Sequence, residues 1–272
     1  MASAIAAKHG AASRAVLFYG SCLREQQLDG LMLDFYLIVS DYRAAYEKRW
    51  LALANRLVPP NVFYFEHGGL AAKYAVLSEA DFARECSPQA RNTSVLARFA
   101  QPSRLAWVAG AEARGMVIDA IEHAAPTLLD WTLPLSESNS PIELWKRAFA
   151  LTFNAELRAE RFDRSAAIVD ADPKRYSEFG LCALQIIGDT PALVRRDRAA
   201  RWWKRMQWNG KTLSILRLAK AAFTFAGGAD YIAWKINRHA QADIRLKPWQ
   251  RRHPLVAGIS LLPRLLKSGA VR

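Results

Sequence analysis

Acidic residues are scarce in this chain: 25 Asp and Glu stand against 38 Lys and Arg over 272 residues, a formal net charge of +13. Such a surplus argues for an anionic partner, either nucleic acid or an anionic lipid surface. Cysteine is scarcer still. Cys22, Cys86 and Cys182 are too widely spaced for a zinc site and odd in number for a closed disulfide framework, so they read as reduced thiols in a cytoplasmic setting. Cys22 follows Ser21 but has no evident base beside it, which leaves it a packing role. No apolar run reaches the roughly 18 residues of a spanning helix, so any membrane contact would be peripheral. The Ala-rich stretch from Met1 to Ala12 is too short for a removable leader before the first apolar strand near Ala15. Internal repeats and low-complexity segments are lacking as well.

What is present is a chain 51% hydrophobic, enough to bury one large core or two modest ones. Apolar strand-like runs at 15–19, 32–39, 61–66, 72–77 and 104–108 alternate with helical segments such as Tyr42 to Leu57 and Glu79 to Cys86. Residues 1–110 therefore read as an α/β catalytic domain. Residues 111–201 show helical periodicity interrupted at Pro126, Pro134 and Ser136 to Pro141 and read as a helical domain. Residues 202–272 read as a basic, Trp-rich helical C-terminal extension.

The segment that carries chemistry runs from Ala15 to Val39. An apolar strand ends in Gly20-Ser21, and a second, Met32-Leu33-Asp34-Phe35-Tyr36-Leu37-Ile38-Val39, carries a carboxylate near its start. Gly20 lets backbone N–H groups approach a phosphate and Ser21 adds a hydroxyl donor, together a phosphate cradle. A carboxylate on a buried strand needs a cation or a partner, and Mg²⁺ with nucleotide phosphates would supply one. The bland alternative is a Gly-Ser turn between two core strands, with Asp34 as a cap.

Further segments follow in a telling order. Asp41 lies seven residues after Asp34, then come Ala72-Lys73-Tyr74-Ala75-Val76-Leu77-Ser78, Ala97-Arg98-Phe99-Ala100-Gln101-Pro102, Asn154-Ala155-Glu156-Leu157-Arg158 and Lys220-Ala221-Ala222-Phe223-Thr224-Phe225-Ala226-Gly227. From about residue 15 to 228 this series resembles, colinearly, the mitochondrial-type phosphatidate cytidylyltransferases, the translocator assembly and maintenance proteins, of the nucleotidyltransferase superfamily. The resemblance implies an α/β nucleotidyltransferase-like catalytic domain. It also implies transfer of CMP from CTP to phosphatidic acid with release of pyrophosphate, a step of phospholipid biosynthesis.

The residues then take these expected roles. Asp34 holds Mg²⁺, with Glu66 or Asp29 as the remaining carboxylate; Glu66 is favoured because a third carboxylate of the superfamily comes from a later strand. Gly20 and Ser21 seat the β- and γ-phosphates, while Lys73, Arg98, Arg158 and Lys220 neutralise nucleotide or lipid phosphates. Glu156 stands where the family has Asp, beside Arg158. One departure matters. Many relatives carry Asp-x-Asp on the second strand, whereas Met32 and Tyr36 flank Asp34 at that spacing here. A nucleotide-binding relative without chemistry is therefore an alternative. His67, before Gly68-Gly69, reads as a loop residue, and the reaction asks for no strong base because the lipid phosphate is already anionic.

Basic residues concentrate after residue 195, interleaved with Trp202, Trp203, Trp208, Trp234 and Trp249. Indoles beside Lys and Arg suit a lipid headgroup interface, and the stretch from His253 to Lys267 is apolar with basic flanks. The C-terminal region is thus expected to contact an anionic membrane surface, giving a cytoplasmic, peripherally membrane-associated enzyme. Aromatic and basic interleaving also suits RNA, so transfer to RNA or to a small polar acceptor stays open.

Overall fold

A computed structural model describes residues 1–24, 31–138, 140–156, 164–188 and 192–224. Its centre is a five-stranded sheet of β1 (Ser13–Tyr19), β2 (Met32–Val39), β3 (Asn61–His67), β4 (Leu70–Ser78) and β5 (Ser103–Val108), in the order β3-β4-β2-β1-β5. The β2/β4 pair is parallel and the other neighbours are antiparallel, so the sheet is mixed. All five apolar runs of the sequence become strands, because β-branched and aromatic residues fit a pleated, half-buried surface.

Helices cover both faces, as an α/β architecture requires. On one face lie α1 (Ala2–Ala7), α2 (Tyr42–Ala45) and α3 (Arg49–Leu57), packed on Val16, Leu33, Phe35, Leu37, Val39, Tyr74 and Val76. The expected single helix from Tyr42 to Leu57 is thus two. Asp41 caps the first by accepting from the Arg43 and Ala44 N–H groups, and the chain extends at Tyr46 before α3 begins.

The other face carries α4 (Glu79–Glu85), α5 (Thr93–Phe99), α6 (Ala111–Glu122), α7 (Ala124–Thr132), α8 (Pro141–Asn154), α9 (Arg164–Asp170), α10 (Pro173–Ile187) and α11 (Ala192–Thr224). Leu17, Tyr36, Ile38 and Leu77 of the sheet share one continuous core with Phe82, Phe99, Leu128, Trp145, Phe149 and Met206 of these helices. Trp202 and Trp203 also belong to that core. Trp202 stacks on Trp131 at 5.0 Å, and the Trp203 indole N–H donates to the Trp131 carbonyl at 2.9 Å. Those two indoles, expected at a headgroup interface, are core residues. Trp208 is exposed, and Trp234 and Trp249 lie outside the described residues.

Cys22 and Cys86 are buried, Cys182 is exposed, and all three are free thiols. Among the described residues no helix is long and apolar enough to cross a membrane.

Candidate functional site

Strand register creates the site. Side chains on one sheet face recur every second residue, and on the helix-rich face the rung Leu105, Leu17, Tyr36, Ala75, Val62 closes the apolar core. One rung nearer the strand ends, Ser103, Tyr19, Asp34, Lys73 and Tyr64 stand side by side across all five strands. The change from apolar to polar at that rung marks where the covering helices stop excluding solvent.

At its centre the Lys73 ammonium lies 3.0 Å from Asp34 Oδ1, and the two side chains remain 30% and 22% exposed, so a ligand can reach the pair. The ion pair is a charge contact only: Oδ1 is buried and receives no directed hydrogen bond. Its second oxygen faces the chain turn after β1. Gly20 has φ +92°, and a Cβ built there would lie 3.3 Å from Asp34 Oδ2. Glycine is thus needed twice over, for the backbone conformation and for the close approach of the carboxylate. Ser21, exposed, opens the 3-10 turn Ser21–Arg24 that follows.

Helix α5 adds the cationic wall. Asn92 caps it by accepting from the Ser94 N–H at 3.0 Å, and buried Glu85 accepts from the Arg91 backbone N–H and the Asn92 side-chain amide. Burial raises the Glu85 pKa against these donors and Arg84. The cap sets the helix so that Arg98 lies over the Tyr19 ring at 5.0 Å. Coupling to Tyr19 first, and also to Tyr36, Glu156 and Asp34, holds the Arg98 guanidinium above its ordinary pKa despite burial. Its Nε is buried without a hydrogen-bond partner, an unspent donor beside the carboxylates.

Glu156 reaches the same place from the end of α8. Ser94 Oγ donates to Glu156 Oε1 at 2.6 Å and accepts from Arg217 Nη1 of α11 at 2.9 Å. Arg217 Nε donates to the Pro59 carbonyl at 2.8 Å, and burial lowers the Arg217 pKa. One turn on, the Lys220 amine donates to the Val58 and Pro60 carbonyls, the latter at 2.8 Å. Burial first, then the Arg217 charge, brings its pKa down to about 7.

Of the residues singled out in the sequence, the fold brings together Gly20, Asp34, Lys73, Arg98 and Glu156, with Ser21 adjacent. Lys220 turns toward the loop between α3 and β3. Glu66 lies on exposed edge strand β3, accepting from the Tyr64 hydroxyl, two strands and two residues from Asp34, roughly 12 Å by ideal strand spacings. Arg158 and Asp29 lie outside the described residues. Sequence reasoning missed Arg217 and Ser94: the Asn92-Thr93-Ser94 cap pattern signals the serine, but Arg217 looks like any other cation of a basic helix.

A divalent ion would find oxygen from Asp34, whose Oδ1 lacks a directed hydrogen bond. Mg²⁺ characteristically takes one or two carboxylates together with substrate phosphates, so this donor set fits an ion arriving with a polyphosphate. No group of three or more His, Cys, Asp or Glu capable of holding a metal by themselves occurs among the described residues. No protein-family model matches the chain, and no curated protein matches it either.

Proposed function

We propose that the chain is a nucleotidyltransferase of the phosphatidate cytidylyltransferase type, binding CTP at the open end of β1, β2 and β4 and transferring CMP to phosphatidic acid. The observation that carries this reading is the Asp34 carboxylate, seated against the Gly20 turn and beside the Lys73 ammonium, still open to solvent.

Attack by a lipid phosphate oxygen on the α-phosphorus forms one P–O bond, while the bond to the β-phosphate breaks and pyrophosphate leaves. Such a displacement asks the protein for alignment and charge neutralisation rather than covalent help. Backbone N–H groups after Gly20 and the Ser21 hydroxyl would seat the terminal phosphates. Lys73 and Arg98 would bring positive charge to the oxygens that gain charge, the free Nε–H of Arg98 being one such donor. Arg217, through Ser94, holds the Glu156 carboxylate in place. Asp34 would hold Mg²⁺, which when bound neutralises the triphosphate and polarises its phosphoryl oxygens.

A second reading is nucleotide binding without turnover, and one feature favours it: Asp34 is the sole carboxylate at its rung, where Lys73 stands on the parallel strand. The experiment that separates the readings is pyrophosphate release with Mg²⁺ and CTP, with and without phosphatidic acid in mixed micelles. Lipid-dependent release that disappears in Asp34→Ala, with an unchanged melting temperature, supports transfer. CTP binding without release under every condition supports the second reading.

A further inference from the structure

Helix α3 packs Leu51 and Ala52 on the core yet carries a second apolar stripe outward. Ala52 and Asn55 are buried, and the Asn55 amide is bonded through both ends, donating to the Val76 carbonyl at 3.0 Å and accepting from the Asn61 N–H. On the opposite side Trp50, Leu53 and Leu57 follow the i, i+3, i+7 spacing of one helical stripe and are 49%, 58% and 67% exposed. A helix packed on a globular core ordinarily places such residues inward. Here Leu51, Ala52 and Asn55 face the core, and an indole and two leucines are left to water. Singly exposed apolar residues need no explanation, but three aligned on one short helix mark a contact surface.

Charge chooses the partner. From Tyr42 to Pro60 the chain carries Arg43, Lys48, Arg49 and Arg56 against Glu47 alone, and all five are exposed. The basic residues Lys48, Arg49 and Arg56 stand beside the apolar stripe. A surface with Trp and Leu at its centre and Lys and Arg at its margin matches an anionic bilayer, where the indole enters the headgroup layer and the cations meet lipid phosphates. The chain's own tail, residues 225–272, is a poor occupant. It carries Lys235, Arg238, Arg245, Lys247, Arg251, Arg252, Arg264, Lys267 and Arg272 against Asp230 and Asp243, the same sign as the surface it would cover. RNA would use the cations but not the leucines.

We infer that the exposed face of α3, Trp50, Leu53 and Leu57 with Lys48, Arg49 and Arg56, docks the protein on an anionic lipid bilayer. The site lies one bridge away: α3 ends at Leu57, and Arg217 joins the Pro59 carbonyl just beyond it to Ser94, the hydrogen-bond partner of Glu156. Helix α3 packs on the sheet face opposite the Asp34–Lys73 pair, so docking through it holds the protein at the bilayer by the far face of the sheet, with the Arg217 bridge as its link to the site. This surface lies in the sheet-bearing part of the chain, on a helix whose following loop is held by Arg217 and Lys220 of α11. The inference rests on the lipid reading above for its choice of partner. Vesicle binding is read without turnover, so the two ideas fail separately.

The test is co-sedimentation of the full chain with vesicles of phosphatidylglycerol and phosphatidylcholine, compared with phosphatidylcholine alone. Trp50→Glu/Leu53→Glu should bind the anionic vesicles about tenfold or more weakly, with the melting temperature retained because both side chains are exposed. A second measurement places an environment-sensitive fluorophore at position 50, as Trp50→Cys in a Cys182→Ser background, since Cys22 and Cys86 are buried. Its emission should shift to the blue only when anionic vesicles are added. Unchanged vesicle binding by the double variant overturns the inference. So does a fluorophore already shielded without lipid, which would mean that the tail or a second copy covers α3, and so does binding of RNA that the double variant loses in place of vesicle binding.

Discussion

Gly20 and Asp34 depend on each other. The glycine holds φ +92°, a conformation that costs an L-residue about 1–2 kcal/mol, and its missing Cβ leaves room for Asp34 Oδ2 at 3.3 Å. Gly20→Ala should therefore lower the unfolding free energy by an amount of that order and, on the proposed reading, weaken CTP binding by displacing the carboxylate, as denaturant titration and calorimetry would record. Lys220 offers a pH signature. Its pKa lies near 7 in the fold and at the ordinary 10.5 when exposed, so between those values the unfolded chain binds the extra proton. Stability should rise with pH across that window, and the neutral amine keeps two N–H donors for the Val58 and Pro60 carbonyls. In Lys220→Met the rise should flatten; parallel pH profiles of the two proteins in urea titrations would refute the assignment. The motif residues Gly20, Asp34 and Lys73 were legible beforehand because local chemistry makes them unusual: a glycine ending a strand, a carboxylate and a lysine within apolar runs. Arg217 was not, since its meaning comes from the Pro59 carbonyl and Ser94, both more than a hundred residues away in the chain.

Helix α5 shows how an element positions chemistry. Its N-cap, Asn92, bonds the Ser94 N–H while its amide donates to Glu85, so a single side chain fixes both the helix start and the preceding loop. Asn92→Ala should cost about 1–2 kcal/mol in equilibrium unfolding, the usual range for a lost cap, with the buried Glu85 oxygen losing a donor as well. Because Ser94 and Arg98 ride on this helix, the nucleotide affinity expected from the proposed reading should fall with it; an unchanged unfolding free energy in the variant would show that α5 is held by packing alone. Helix boundaries were less legible than strands. The run from Tyr42 to Leu57 reads as one helix, and only the extended backbone at Tyr46 after the short Asp41-capped turn divides it. The exposed stripe of α3 gave no warning either: periodicity reports that a helix has an apolar side, not which way that side faces.

For the whole molecule, α11 acts as the strap between the sheet and the helices. It closes on the end of α8 at Gly210, where an added Cβ would collide with the Ala155 carbonyl immediately before Glu156. Backbone cannot yield there as a flexible side chain would. Gly210→Ala should lift α11 from this contact, destabilise the protein by about 1–3 kcal/mol and loosen the Arg217–Ser94–Glu156 link. Thermal unfolding should also be a single transition when followed by far-UV and near-UV circular dichroism, because one core runs from Leu17 of the sheet to Met206 of α11. A variant with unaltered stability would mean that α11 is not seated on Ala155.

By itself, the amino-acid order determined the strands, the Gly20–Ser21 turn, the carboxylate on the second strand and the excess of positive charge, because each is written within a few residues or in composition. Tertiary structure alone decided that Lys73 meets Asp34, that Arg98 and Glu156 share one end of the sheet while Glu66 stands apart, and that Trp202 and Trp203 are core where Trp50 is surface. Those outcomes depend on strand register and on which helix face meets the core, and both are set by packing between segments distant in the chain.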